Sequence, residues 1–106
     1  MPKYLAQANY VGEGIKGLIK EGGSSRRAAI ETLFASVGAK VEGFYYAFGD
    51  TDLFVIVDAP DNVTVAALSL IVNASGAITV KVTVLLTPEE MDAVVKKTAS
   101  YRPPGK

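Results

Sequence analysis

The chain has 106 residues, 11 basic against 11 acidic, and 49% of its residues are apolar. Zero net charge disfavours a role that tracks nucleic-acid phosphates. With neither histidine nor cysteine present, a Ser-His-Asp triad, a cysteine nucleophile, a disulfide and a His- or Cys-ligated zinc are all excluded.

One domain is expected. The mean hydropathy of +0.25 is high for so small a core, so part of the apolar surface should lie in a subunit interface. No apolar run approaches the ~18 residues of a membrane span. "MPKYLAQANY" lacks a secretory apolar core, and the cytoplasm is the expected location.

Taken in chain order, residues 3–10 alternate: Tyr4, Ala6, Ala8 and Tyr10 on one face, Leu5, Gln7 and Asn9 on the other. That is a strand. "EGIKGLIKEG" places Ile15, Leu18 and Ile19 at helical spacing, weakened by Gly14 and Gly17. After Gly22-Gly23 a better helix starts, with Ile30, Leu33, Phe34 and Val37 in one stripe. Ser24 or Ser25 is its expected cap, and Gly38 its expected end.

Residues 40–48 and 52–59 predict two strands joined at "FGDTD" as a hairpin. A helix is expected over about 62–74, apolar around most of its circumference and polar only along Asn62, Ala66, Ser69 and Asn73. It should be covered on more than one side. "GAITVKVTVLL" alternates again. "TPEEMDAVVKK" then opens on a Thr87–Glu90 capping box with Pro88 in the first turn. "SYRPPGK" predicts an extended tail. The order is β-α-β-β-α-β with a terminal helix, an α+β, ferredoxin-like arrangement around a four-stranded antiparallel sheet. Its helices cover one face. The other face carries large apolar groups too, which calls for a second copy.

Four blocks, "IKEGGSSRRAA", "FYYAFGDTDLFVIVDAPDN", "NASGAITVKVTVLLTPEE" and "SYRPPG", resemble the GYD domain family of small bacterial and archaeal proteins. The resemblance spans nearly all of residues 1–106, read as a single domain. It implies a ferredoxin-like fold of the dimeric α+β barrel kind, and it implies no reaction. Gly49 and Asp52 match the family's name motif, and Thr51 stands where that motif has tyrosine.

Three groups of residues are candidate sites. Asp50 and Asp52, two apart, would share a face of an extended strand and hold a proton or a hard cation. Turn chemistry is the preferred reading, because a hard cation wants more oxygen ligands. Asp58 is read as a strand-end residue. "GGSSRR" offers two hydroxyls (Ser24, Ser25), two guanidinium groups (Arg26, Arg27) and a helix start as an anion cradle. It lacks the P-loop spacing. The alternative is a solvated first turn. Lastly, alternation sends Gln7, Asn9, Thr79, Lys81 and Thr83 off the apolar face, with Tyr4, Tyr10, Tyr45 and Tyr46 nearby. These form a small-molecule pocket or a polar seam between subunits. In the tail, Tyr101 and Arg102 reach a neighbouring subunit or belong to a loose end.

The leading expectation is a homo-oligomeric binding or assembly module that holds a small ligand or an anion through Ser24, Ser25, Arg26, Arg27, Asn9, Tyr46, Asp52 and Lys81. No resident cofactor or metal is expected, and neither nucleic acid nor membrane is an expected partner. The alternative is a cofactor-free enzyme moving protons with Asp, Lys or Tyr. Oligomerisation alone is a third reading.

Overall fold

Strict alternation in the first strand sets the layers. In the computed structural model, which describes residues 1–106, β1 (Lys3–Tyr10) buries Tyr4, Ala6, Ala8 and Tyr10 and leaves Lys3, Leu5, Gln7 and Asn9 half-buried. β3 (Leu53–Asp58) repeats the pattern with Leu53, Val55 and Val57 buried. The two strands pair antiparallel, Ala6 opposite Val55, so their inward residues share one face. β2 (Lys40–Tyr46) pairs with β3 through the hairpin, and β4 (Ile78–Leu85) with β1, giving the sheet order β2-β3-β1-β4. All pairings are antiparallel. The fold is α+β and roughly ferredoxin-like.

Two helices fill the first crossover: α1 (Glu13–Glu21) and α2 (Gly23–Ala35). The second crossover is α3 (Asn62–Ala74), and α4 (Pro88–Val95) follows β4. Phe34 of α2 and Val65 and Leu68 of α3 complete the core with the inward strand residues. No helix is long and apolar enough to cross a membrane.

Several expectations need correction. Neither Ser24 nor Ser25 caps α2. Gly22 is its N-cap, at φ 83, and no side chain bonds there; such a left-handed backbone suits glycine. The expected end holds: past Ala35 the helix closes on Gly38, at φ 77, with Ala39 N donating to the Phe34 carbonyl (2.9 Å) and Gly38 N to that of Ala35 (3.1 Å). β2 ends at Tyr46 after a bulge between Val41 and Gly43. Phe48 lies outside the strand and is fully exposed at 100%. α3 buries Val65 and Leu68 and is covered on that side only; its polar line stays largely exposed, yet its two ends bond to the sheet. Asn62 accepts a hydrogen bond from Tyr4 Oη (2.6 Å), and Asn73 Oδ1 accepts one from Val80 N (3.0 Å). The rest of the α3 surface left open is apolar: Val63 is 79% exposed and Leu70 73%.

At the lower end of the sheet, Lys3 Nζ reaches Glu42 Oε1 (2.6 Å) and Asp58 Oδ1 (2.9 Å). Its hydrogen bonds to Glu42 and then Asp58 raise the Lys3 pKa above 10.5, and the Lys3 bond is the largest cause lowering that of Asp58 below 3.8. Asp58 therefore contributes stability that is present above pH 3.8 and lost as pH falls through its folded value. Lys3 contributes stability that is present below pH 10.5 and lost as pH rises through its folded value. Lys3→Met, which keeps the apolar stem, is expected to flatten both limbs of a Tm-against-pH profile. An unchanged acid limb would show that Asp58 gains nothing from Lys3.

Candidate functional site

Asp52 and Asn9 clasp the hairpin tip to the end of β1. Asp52 N donates to Asn9 Oδ1 (2.9 Å) and to the Ala8 carbonyl (3.1 Å), and Tyr10 N donates back to Asp52 Oδ2 (3.0 Å). The aspartate thus extends the β1–β3 ladder where the backbone of β3 has run out. Ala47 N closes the tip on the Asp52 carbonyl at 2.8 Å. This is the turn chemistry expected of "FGDTD", with a partner on a third segment that local spacing does not reveal.

The clasp also shapes a cleft of about 430 Å³ on the helical side of the sheet, lined by Tyr10, Ile15, Leu18, Gly23, Tyr46, Ala47 and Asp52. A second cavity, about 290 Å³, shares Tyr10 and Leu18 and is bordered by Arg26, Glu13 and Glu21. Tyr10 is 5% exposed, and its hydroxyl is buried without any hydrogen-bond partner. Nearby, Tyr46 Oη donates to the Gly23 carbonyl (3.0 Å). Burial, then the neighbouring Tyr10 phenol, pushes the Tyr46 pKa up to about 12, against a lowering influence of Arg26. The Tyr10 hydroxyl lies close enough to act on Tyr46, but the two phenols do not meet in hydrogen-bond geometry. Gly23 admits the ring because it has no side chain: a Cβ there would stand 2.9 Å from Tyr46 Cε2. At neutral pH Tyr46 is a hydrogen-bond donor and not a base.

The residues singled out from the sequence fall in three places. Tyr46 and Asp52 share the helical-side cleft. Asn9 and Lys81 lie on the open face, where with Gln7, Asp50, Thr51 and Thr79 they line a wholly polar cavity of about 150 Å³. Asp50 and Asp52 thus line different cavities, and no group of three or more carboxylates is placed to hold a metal ion. Ser24 and Ser25 are exposed in the first turn of α2. The arginines that follow have carboxylate partners: Arg26 with Glu21 (3.8 Å) and Arg27 with Glu31 (3.5 Å). Arg27 also lies over the Phe44 ring, 5.8 Å from its centroid. Only Arg26 borders a cavity that Tyr10 also lines.

The centre of the cleft is a residue that sequence reasoning placed merely nearby. Tyr10 ends a core-facing row whose inner members are only alanines. A large polar-tipped ring at the end of a row of small residues was the available signal.

Compared with known families, the chain matches the model of the GYD domain over residues 4–95. No curated protein and no solved structure matches it.

Proposed function

This chain belongs to the GYD domain family, and from that premise we propose that it is a cytoplasmic homo-oligomer that binds a small organic molecule in the cleft between α1, the start of α2 and the hairpin tip. The observation that carries this reading is the Tyr10 hydroxyl, buried and without a partner at the cleft wall. Such a group costs roughly 1–3 kcal/mol when nothing bonds to it. A ligand carbonyl or hydroxyl oxygen would accept its proton. Ile15 and Leu18 would hold an apolar body beside it.

The cleft favours a neutral polar head over an anion. Asp52 stands in its wall, and both arginines of "GGSSRR" already face carboxylates. The enzyme reading gains no support: Tyr46 holds its proton at neutral pH, and Lys81 is exposed on the other face of the sheet.

Assembly is supported by the open face. It carries no helix, yet Leu5, Phe54 and Ile56 lie on it half-buried and Tyr45 is 69% exposed. The test of both claims is native mass spectrometry of the protein as purified from cells, under gentle and then dissociating conditions. A discrete oligomer with added mass is expected, and Ile56→Glu should lower its subunit number. A ligand-free oligomer that also fails to take up small carbonyl compounds would overturn the binding claim. A monomer would overturn the assembly claim.

A further inference from the structure

Two apolar surfaces on this chain lack partners within it. The first is the C-terminal arm. Every residue from 88 to 106 is exposed, and α4 buries none of its side chains. Met91, Val94 and Val95, at i, i+3 and i+4, form an apolar stripe 46%, 47% and 72% exposed. The molecule measures 57 × 33 × 23 Å, and its radius of gyration of 17.0 Å exceeds the ~13 Å of a compact domain this long. The arm stands clear of the body.

The second surface is a groove of about 320 Å³ between α3 and β4, with Tyr4 in its lining. Val82 and Val84 form one wall, still 37% and 56% exposed although they point to the helical side of the sheet. Ala66 lies on the other wall, and Val63 and Leu70 continue that flank of α3 at helical spacing. An α-helix of eight residues is ~12 Å long, shorter than the strand it would lie against.

We infer that the groove receives α4 of a second copy, so that two chains exchange arms. The exit from β4 argues against docking within one chain. Pro88 keeps Thr87 out of the helical region, and Thr87 is extended at φ −74, ψ 161. The capping box then fixes the departure: Glu90 N donates to Thr87 Oγ1 (3.1 Å) and Thr87 N to Glu90 Oε1 (2.9 Å). In that departure α4 lies clear of its own groove, with every one of its residues exposed. Each chain carries both halves of the contact, so a reciprocal exchange about a two-fold satisfies both arms and both grooves. This interface is separate from the open sheet face, and Ile56→Glu leaves it intact.

Because the chain has no cysteine, single replacements report cleanly. Val84→Cys and Val94→Cys full-length chains, one tagged so that the masses differ, are co-expressed and treated with a short bismaleimide. Docking raises the local concentration of one thiol around the other, so the 84–94 product between different chains should exceed the 84–84 and 94–94 products by about tenfold. Adding Ala66→Glu to the Val84→Cys chain, a charge at an exposed position of the groove wall, should reduce that product about tenfold. Symmetric products in excess, or no product, would overturn the exchange. So would a single chain carrying both cysteines that closes on itself.

Discussion

Tyr10→Phe is expected to stabilise the ligand-stripped protein by about 1 kcal/mol while weakening ligand binding about tenfold. The two signs have one cause. In the empty protein the Tyr10 hydroxyl is buried without a partner, so deleting it removes a desolvation cost and leaves the ring in place. With ligand bound, the same deletion leaves the ligand's acceptor facing apolar carbon. Urea unfolding of the stripped protein gives the first quantity. Calorimetry with the compound released from purified material gives the second. If the stripped variant is instead destabilised, the hydroxyl has a partner in the free protein, and the case for a ligand there fails.

Gly14→Ala is expected to cost about 3 kcal/mol or more, whereas Gly17→Ala, one turn along the same helix, should gain up to about 1 kcal/mol. Helix propensity favours alanine at both. What differs is the neighbour. A Cβ at Gly14 would lie 1.9 Å from the Ala77 carbonyl oxygen, which accepts a hydrogen bond from Val11 N (2.9 Å). That oxygen is backbone, fixed at the entry to β4, and cannot rotate away. At Gly17 the nearest atom is the far end of the Glu21 side chain, 3.9 Å off. Chemical denaturation of both variants measures the contrast. Gly14→Ala should also lift α1 and open the cavity that Gly14, Leu18 and Tyr10 share. Equal effects at the two positions would mean that α1 is not seated on the turn before β4.

The elements that were legible from the sequence are those written in local chemistry. Alternation in "KYLAQANY" identified which side of β1 is buried. "TPEE" marked the start of α4 together with its reciprocal bonds. The turn residues of "FGDTD" placed the hairpin. What local spacing did not carry was every contact made by strand pairing or by one helix meeting another. Asp52 was read as a turn residue, but its carboxylate acts on Tyr10 of β1, 42 positions away. Spacing placed Asp50 and Asp52 together, and the tip sends them to different cavities. The serines after Gly23 looked like caps, and the left-handed Gly22 took that position without them. The convergence of Tyr10 and Tyr46 depends on register, on the missing side chain of Gly23, and on the seating of α1. None of these is a periodic property.

The bond from Val80 N to Asn73 Oδ1 has a consequence for the edge of the sheet. β4 is an outer strand, and "ITVKVTVLL" is the most strand-prone run in the chain. A free edge of that composition invites another chain to add itself as the next strand. The Asn73 carboxamide occupies one outward N–H of β4, near the start of that edge. Lys81, beside it, adds a charge that a flat stack of identical strands would have to bring together. Beyond Lys81 the edge has no such guard. During synthesis β4 emerges after everything it pairs with, so this stretch of valines waits least for its partner, β1. The order of the elements along the chain thus shields in time what Asn73 shields in space.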